Sequence, residues 1–151
     1  DATHIPSYGP ESRGGTSYAD VHVSADEVLS PASPHPRILV AFNAPSLAKF
    51  ASDVPPGGTI LYDSSVVKSA PAFPDGVHVF GVPFTEIAVD LGKAMVKNIV
   101  ALGALQAATK LFPEETFRTA IRLALKDKCA LIPLNEEAFS WGMRAVQPPA
   151  N

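Results

Sequence analysis

The chain is poor in cysteine, in charge and in long apolar runs, and each shortage removes a class of function. Its single cysteine, Cys129, excludes an internal disulfide and any multi-cysteine metal or iron–sulfur site within this chain. The net charge is −3 and the sequence contains no basic cluster, so nucleic acid is not expected as a partner. The longest weakly polar stretch, 94–108, is too short to cross a bilayer. These shortages predict a soluble protein of a reducing compartment, the cytoplasm, with no membrane partner.

The short motifs of common catalytic sites are absent as well. Neither G-x-G-x-x-G nor a P-loop occurs, and Ser64-Ser65 lacks the glycines that surround a hydrolase nucleophile. The four histidines lack the spacing of a zinc site. Cys129 adjoins an apolar run, which favours a packing role over a reactive one. The sequence therefore predicts no catalytic residue and no metal ligand in this chain.

What the chain does contain is enough apolar sequence for one domain. The hydrophobic fraction is 46%, and a chain of this length can bury a substantial core. Fifteen prolines mark the joints between the segments. We expect a single domain over residues 1–147 and a proline-rich tail over residues 148–151.

Strands and helices are predicted to alternate along most of the chain. Continuous apolar runs at 37–42, 59–63 and 77–82 are typical of parallel strands that are covered on both faces. Residues 17–23 alternate like a half-buried strand. Helices are predicted at 45–54, at 85–91 with Thr85 as cap, and at 94–110, 113–128 and 135–144. This order predicts an α/β fold, Rossmann-like, with an open, mainly parallel sheet flanked by helices. The helix at 94–110 is apolar over most of its circumference, so we expect it to be covered on nearly every side.

A shaped loop over residues 7–16 is the most distinctive stretch of the chain. It contains three glycines, a proline, a carboxylate and an arginine within ten positions. Glycine permits positive φ and close backbone approach, and proline fixes φ. Glu11 and Arg13 are therefore held on a stiff frame. They form either an internal ion pair or contacts with a partner subunit or an anionic ligand, since the planar guanidinium suits carboxylate and phosphate.

Asn43 follows the most apolar of the predicted strands. In open α/β sheets, ligands bind at the carboxyl ends of the strands, where this residue lies. The residue types equally allow a structural role, in which Asn43 caps the helix that begins at Ala44. Both interpretations stay open, and the cap is slightly favoured.

The loop resembles the YGPE-x-RGGT signature of γ subunits, or γ domains, of 2-oxoacid:ferredoxin oxidoreductases. Further blocks resemble the same family in the same order: the strand–Asn–x–Pro segment at 40–50, the PGG segment with Tyr and Ser-Ser at 56–65, the segments at 82–92 and 97–105, and the closing block at 135–142. The resemblance covers nearly the whole chain. The form Arg13-Gly14-Gly15-Thr16 is closer to the 2-oxoglutarate branch than to the pyruvate branch.

The resemblance implies a subunit of an enzyme complex that converts a 2-oxoacid, coenzyme A and oxidised ferredoxin to acyl-CoA, CO2 and reduced ferredoxin. It places thiamine diphosphate, Mg²⁺ and iron–sulfur clusters in the partner α and β subunits, with a δ subunit left open. This chain is then expected to bind no cofactor alone and to pack against the subunit that holds the 2-oxoacid. The contact residues, to that subunit or to coenzyme A, are predicted to be Tyr8, Gly9, Pro10, Glu11, Arg13, Gly14, Gly15 and Asn43.

Two other functions remain open. One is the β chain of an indolepyruvate-type enzyme of the same superfamily, and the other is a non-catalytic α/β assembly or binding module. The family also implies a β–loop–α unit with a Gly-Gly-Gln-Gly turn before the first strand, and this sequence does not contain that turn. We therefore expect an open sheet that lacks its first β–α unit and exposes an edge.

Overall fold

The structure is a computed structural model that describes residues 2–7, 17–26 and 34–146. Its strands are β1 (Ala2–Ser7), β2 (Tyr18–Val23), β3 (Ile38–Ala41), β4 (Thr59–Asp63) and β5 (His78–Val82). Its helices are α1 (Ala44–Phe50), α2 (Phe84–Asp90), α3 (Lys97–Thr109), α4 (Glu114–Ala124) and α5 (Ile132–Ala145), and short 3₁₀ turns lie at 51–53, 94–96 and 129–131.

Strands β3, β4 and β5 form a parallel sheet in that order, as the apolar runs predict. One face of this sheet packs on α1, and this core contains Ala41, Leu47, Ala51, Val54, Ile60 and Val67. The opposite face packs on α2, α3 and α5 through Leu61, Val82, Phe84, Val100, Ala104 and Ala138. A sheet with both faces covered explains why its strands read as continuous apolar runs. The predicted α/β class, with a parallel sheet flanked by helices, is confirmed.

Helices α3 and α5 cross at two glycines. A Cβ added to Gly103 would lie on the carbonyl oxygen of Phe139, and one added to Gly142 would lie on the carbonyl oxygen of Val100. Each helix therefore passes its backbone over a glycine of the other. Of the residues of α3, only Asn98 is exposed, so the predicted cover exists, and α2, α5 and the sheet supply much of it.

Strands β1 and β2 pair antiparallel in a separate two-stranded sheet, which we call the ribbon. The alternation at 17–23 predicted a half-buried strand, and β2 does alternate in burial: Asp20 and His22 are half-buried, whereas Ala19, Val21 and Val23 are exposed. The sequence pattern predicted neither the pairing with β1 nor the exposure of the apolar side.

Two local predictions are wrong. Thr85 does not cap a helix: α2 begins at Phe84, and the Thr85 hydroxyl binds Asp63 instead. Cys129 is exposed, and its thiol donates to the carbonyl of Lys126 at 3.0 Å rather than packing in a core. The apolar run beside Cys129 led to that error, because the run belongs to a 3₁₀ turn and the start of α5. The predicted tail, 148–151, lies outside the described residues.

Candidate functional site

Seven of the eight predicted contact residues lie outside the part of the chain that the structure describes: Tyr8, Gly9, Pro10, Glu11, Arg13, Gly14 and Gly15. The described residues on either side of this segment are Ser7 at the end of β1 and Tyr18 at the start of β2. Ser7 and Tyr18 are register partners in the ribbon. The two ends of the predicted contact segment are therefore held side by side.

Tyr18 attaches the ribbon to α1. Its ring meets the ring of Phe50 edge-on, with centroids 5.0 Å apart and planes at 61°. The ammonium of Lys49 lies 5.7 Å from the Tyr18 centroid and 5.2 Å from the Phe50 centroid. Edge-to-face rings and an ammonium over them are favourable arrangements. Tyr18, the first strand residue after the contact segment, is thus held at the carboxyl end of α1.

Asn43 is the predicted contact residue that the structure places, and it caps α1. Its backbone is extended, and its side-chain oxygen accepts the N–H of Ser46 at 2.8 Å. The cap interpretation is confirmed. The side-chain nitrogen of Asn43 has no hydrogen-bond partner among the described residues, and the residue is half-buried, so the amide can cap α1 and still offer its two N–H donors. Whether it makes a contact stays a prediction.

The structure does not bring Asn43 and Tyr18 together. Asn43 precedes the first residue of α1, whereas the Tyr18 contact is with Phe50, the last residue. A helix rises about 1.5 Å per residue, so these two positions are roughly 10 Å apart along α1. Asn43 lies at the carboxyl edge of the parallel sheet and the ribbon is attached toward its amino edge.

The most buried carboxylate of this edge, Asp63, is not among the site residues predicted from the sequence. This side chain is fully buried at the end of β4, the central strand. Its Oδ2 accepts the Thr85 hydroxyl at 2.6 Å, and its Oδ1 accepts the N–H groups of Ser65 at 3.1 Å and Thr85 at 3.4 Å. An acid that ends an apolar strand and is followed by Ser-Ser is typical of a side chain that folds back on its own turn. That local signal was present in the sequence.

Helix α2 receives its N-terminal cap from residues far away in sequence. Its own cap residue, Pro83, makes no side-chain hydrogen bond. The N–H of Thr85 is instead bound by Asp63, and the N–H of Glu86 donates to the Ser65 hydroxyl at 3.1 Å. Asp63 and Ser65 thus satisfy helix-end donors that would otherwise need water. Their visible role is to fix the turn after β4 against the start of α2, at the edge where Asn43 lies.

One further polar feature is an ion-pair network between α4 and α5. Arg118 binds Glu114 at 2.6 Å and the Ser140 hydroxyl at 2.8 Å, while its guanidinium lies over the Phe139 ring. Arg122 binds Glu115 at 2.7 Å and Glu136 at 2.5 Å. These hydrogen bonds, first to Glu115 and then to Glu136, raise the pKa of Arg122. The network holds a peripheral helix in place and contains no reactive group.

The described residues give little support for a metal site or a membrane-spanning helix. Within ranges 2–7, 17–26 and 34–146, no group of three or more His, Cys, Asp or Glu side chains could hold a metal ion. None of the helices in these ranges is long and apolar enough to cross a membrane.

An open hollow of 390 Å³ lies at the amino edge of the sheet beside Arg37 and the turn 55–58. The N–H of Gly57 donates to the carbonyl of Gly76 and the N–H of Gly58 donates to the carbonyl of Pro55, and these hydrogen bonds hold that turn.

Known proteins resemble this chain over almost its full length. The model of the pyruvate ferredoxin/flavodoxin oxidoreductase family matches residues 1–145. The ketoisovalerate oxidoreductase subunit VorA of Methanothermobacter thermautotrophicus is 46% identical over 94% of this chain and 30% of its own length. The 2-oxoglutarate synthase subunit KorC of Archaeoglobus fulgidus is 31% identical over 94% of this chain and 72% of its own length.

A solved structure agrees with these similarities. The γ subunit of a keto/oxoacid ferredoxin oxidoreductase from Geobacter sulfurreducens is 30% identical, with a TM-score of 0.78 over 95% of this chain and 79% of that one. This chain thus spans only 30% of the length of its VorA relatives, but most of the KorC and γ-subunit chains. The family expected from the signature loop and the later sequence blocks is confirmed, and the chain belongs to the pyruvate ferredoxin/flavodoxin oxidoreductase family.

Proposed function

We propose that the chain is the γ-type component of a thiamine-diphosphate-dependent 2-oxoacid:ferredoxin oxidoreductase. The complex would oxidise and decarboxylate a 2-oxoacid, transfer the acyl group to coenzyme A and pass the electrons to ferredoxin. The observation that carries this proposal is the family match over residues 1–145, together with relatives of similar length that are subunits of such enzymes. Activity is assigned to the assembled complex and not to this chain alone.

The cysteine content of this chain supports the placement of the cofactors in partner subunits. A cluster needs several thiolates, and the chain has one cysteine. Thiamine diphosphate, Mg²⁺ and the iron–sulfur clusters would therefore be held by α and β partners, with a δ subunit left open, and ferredoxin would interact through the complex. Location in the cytoplasm is part of the same proposal.

The contribution of this chain would be to shape the coenzyme A side of the active site or the subunit contact beside it. Asn43 supports this role, because its amide donors stand at the carboxyl edge of a parallel sheet, the usual ligand edge of such folds. Asp63 and Ser65 would keep that edge rigid by binding the start of α2. The segment 8–16, with Glu11 and Arg13, would supply the remaining contacts.

Two substrates are candidates within the 2-oxoacid class. The form Arg13-Gly14-Gly15-Thr16 favours 2-oxoglutarate, and the KorC relatives are subunits of 2-oxoglutarate synthases. The VorA relatives favour ketoisovalerate as the second candidate, since they are 46% and 42% identical to this chain, whereas the KorC relatives are 31% to 35% identical. An indolepyruvate-type enzyme and a non-catalytic assembly module have no such support.

The decisive experiment is affinity purification of the tagged protein from its native host, with the intact mass of each recovered chain. The eluate would be assayed for coenzyme A-dependent viologen reduction with 2-oxoglutarate, ketoisovalerate, pyruvate and indolepyruvate. We expect thiamine- and cluster-bearing partners and reduction with one preferred acid, which also names the branch. A clean protein without partners and without activity would instead favour the non-catalytic module.

A further inference from the structure

Lys97 brings a positive charge to the carboxyl edge of the parallel sheet. It is the first residue of α3 and is half-buried. Its ammonium lies 5.8 Å from the ring centroid of Phe42, the residue between the end of β3 and Asn43. The Phe42 ring in turn packs on the ring of Phe84 at the start of α2, with centroids 5.7 Å apart. The charge of Lys97 is therefore held beside the end of β3.

Helix stability and aromatic packing do not account for this charge. A cation at the N-terminus of a helix opposes the helix dipole, at a cost of about 0.3–1 kcal/mol, and the first turn of α3 has no acid to offset it. The 5.8 Å to Phe42 is close to the outer limit of about 6 Å for a cation–π contact. The ion pairs among the described residues belong to Arg118 and Arg122. The ammonium of Lys97 is thus half-buried without a carboxylate partner in the described part of the chain.

Two neutral hydrogen-bond donors lie at the same level of this edge. The last register pair of β3 and β4 is Ala41 with Tyr62, and Asn43 and Ser64 each come two residues later. Adjacent strands are about 4.8 Å apart, so the chain leaves the two strands side by side at these residues. Both residues are half-buried. The amide nitrogen of Asn43 and the hydroxyl of Ser64 make no hydrogen bond to the described residues.

The acidic side chains near this edge do not neutralise the ammonium. Asp63 is fully buried, and its oxygens already accept the hydroxyl of Thr85 and the N–H groups of Ser65 and Thr85. Glu86 is exposed and makes no ion pair with the residues that the structure describes. The edge therefore offers one cation and two neutral donors, which together suit an anion.

A phosphate group fits these donors better than a carboxylate does. Lysine binds phosphate as a point charge, whereas planar carboxylates are recognised best by the forked guanidinium of arginine. The donors also come from three places, the ends of β3 and β4 and the start of α3, and a tetrahedral phosphate accepts hydrogen bonds from several directions. Open α/β sheets bind their ligands at this edge. Of the two organic substrates in the proposed reaction, coenzyme A carries phosphate groups and the 2-oxoacid carries a carboxylate.

We propose that Lys97, Asn43 and Ser64 form a phosphate site at the carboxyl edge, and that its ligand is a phosphate group of coenzyme A. Lys97 supplies the charge, and Asn43 and Ser64 supply neutral hydrogen bonds. This inference rests on the proposed function. It deepens that function by adding Lys97 and Ser64 to the predicted contacts and by giving the free amide nitrogen of Asn43 a defined ligand.

Steady-state kinetics of the assembled enzyme test the site. Lys97→Met would be introduced into the full-length protein and the complex purified from the native host, because methionine keeps an unbranched stem over Phe42 and removes the charge. We expect the KM for coenzyme A to rise about tenfold, with kcat and the KM for the 2-oxoacid unchanged, since only the binding of one substrate is weakened. Lys126→Met, at an exposed position after α4, is the matched control and should behave as wild type.

Two further variants distinguish a ligand contact from packing. Lys97→Arg keeps the charge and should recover most of the affinity for coenzyme A, and Ser64→Ala should raise the same KM about threefold by removing one neutral hydrogen bond. If Lys97 only covers Phe42, methionine serves equally well and the KM for coenzyme A stays at the wild-type value, which would overturn the proposal. A rise in the KM for the 2-oxoacid alone would also overturn it, in favour of a carboxylate.

Inorganic pyrophosphate tests the same site without the reaction. A ligand that binds the folded state raises the thermal midpoint of a protein. At constant ionic strength, we expect the midpoint of the purified full-length protein to rise with pyrophosphate concentration in wild type and in Lys126→Met, and to rise less in Lys97→Met. Equal rises in wild type and Lys97→Met, or no rise in either, would contradict the site. This measurement also decides the case if Lys97→Met prevents assembly of the complex.

The two measurements separate the phosphate site from the proposed function. A pyrophosphate response that depends on Lys97, in a protein whose complex oxidises none of the 2-oxoacids, would contradict the proposed function and support the phosphate site. An active complex with the same KM for coenzyme A in wild type and Lys97→Met would support the proposed function and overturn the site.

Discussion

Asp63 at the end of β4 accepts a 2.6 Å hydrogen bond from the hydroxyl of Thr85, 22 residues later in the second residue of α2. The same carboxylate accepts the backbone N–H groups of Ser65 and Thr85. One buried side chain therefore connects the central strand, the turn that follows it and the start of a core helix. Helix α2 depends on this tertiary contact for its cap, because Pro83 supplies none.

Replacing Asp63 is expected to destabilise the domain. Asp63→Ala leaves three donors without their acceptor, and each unsatisfied buried group costs about 1–3 kcal/mol. We expect a loss of about 3 kcal/mol in the free energy of unfolding, and a smaller loss for Asp63→Asn, which keeps one oxygen. Urea denaturation of the purified protein measures both. Asp90→Asn is the control on the exposed end of α2, and an equal loss there would contradict the role given to Asp63.

The crossing of α3 and α5 is expected to tolerate no side chain at its two glycines. Gly103→Ala puts a methyl group on the Phe139 carbonyl, and Gly142→Ala puts one on the Val100 carbonyl. Backbone cannot rotate away as a side chain can, so the helices must separate, at a cost of about 3 kcal/mol or more. This cost exceeds the gain of about 1 kcal/mol that alanine brings to a helix interior.

Gly92→Ala is the matched control for the two crossing glycines. Gly92 has a φ of +87°, and a Cβ there would meet no atom within 4 Å. Its substitution should cost only the conformational penalty of about 1–2 kcal/mol. Thermal unfolding of the three variants separates the two mechanisms. The double variant should lose less than the sum, because the first methyl already separates the helices. A Gly103→Ala variant as stable as wild type would refute the close crossing.

The sequence predicted the layers of the fold better than their connections. Strands β3, β4 and β5 were predictable because burial on both faces leaves continuous apolar runs. A glycine inside an otherwise apolar helix is a local signal of a close backbone approach, and Gly103 makes such an approach. The cap of α2 was not predicted, because its donors and acceptors lie about twenty residues apart and hydroxyl groups give no periodic signal.

The ribbon marks another limit of sequence patterns. Alternation shows that β2 has two different faces, but it does not show which face the domain uses. The usual assumption, that the apolar face turns inward, fails for Val21 and Val23. At the candidate site, the cap role of Asn43 was predictable from its place before Ala44-Pro45, whereas the buried role of Asp63 depends on Thr85 in a distant segment.

Arg118 and Arg122 are expected to differ in importance although both join α4 to acidic partners. Arg118 is mostly buried and binds Glu114, Ser140 and the Phe139 ring, so Arg118→Ala should cost about 1–2 kcal/mol through lost hydrogen bonds and packing. Arg122 is exposed, and Arg122→Ala should shift the unfolding midpoint less. In about 1 M salt the Arg122 effect should disappear, since exposed pairs are screened.

The pKa shift of Arg122 also predicts the pH response. A cation with a raised pKa stabilises the fold at all pH values below its unfolded pKa, and loses this effect only as pH rises through the folded pKa. Between pH 6 and 9, the difference in stability between wild type and Arg122→Ala should therefore stay constant. Thermal melts across that range measure it, and a difference that fades by pH 9 would contradict this account.

Arg13 is expected to act in assembly or acyl transfer rather than in folding. Arg13→Ala should lower the recovery of the complex or the formation of acyl-CoA, because it removes a guanidinium suited to carboxylate or phosphate. The thermal midpoint should stay within 2 °C or so of wild type, as is usual for substitutions that leave the core intact. Arg37→Ala, at an exposed position near the amino edge of the sheet, is the control. Unchanged assembly and turnover in Arg13→Ala would remove this residue from the proposed contacts.

The cap and the proposed contact use different atoms of the Asn43 side chain, so a substitution that changes only the amide nitrogen can tell the two roles apart. Asn43→Asp keeps the oxygen that accepts the Ser46 N–H and should leave stability unchanged, whereas Asn43→Ala removes the cap and costs about 1 kcal/mol. If the Nδ2 donors contact coenzyme A or a partner subunit, Asn43→Asp lowers acyl-CoA formation or complex recovery while the protein melts normally. If Asn43 acts only as a helix cap, Asn43→Asp should keep normal turnover, because aspartate caps helices as well as asparagine does. Parallel melting curves and acyl-CoA assays of the two variants therefore decide whether this amide only begins a helix or also serves the enzyme.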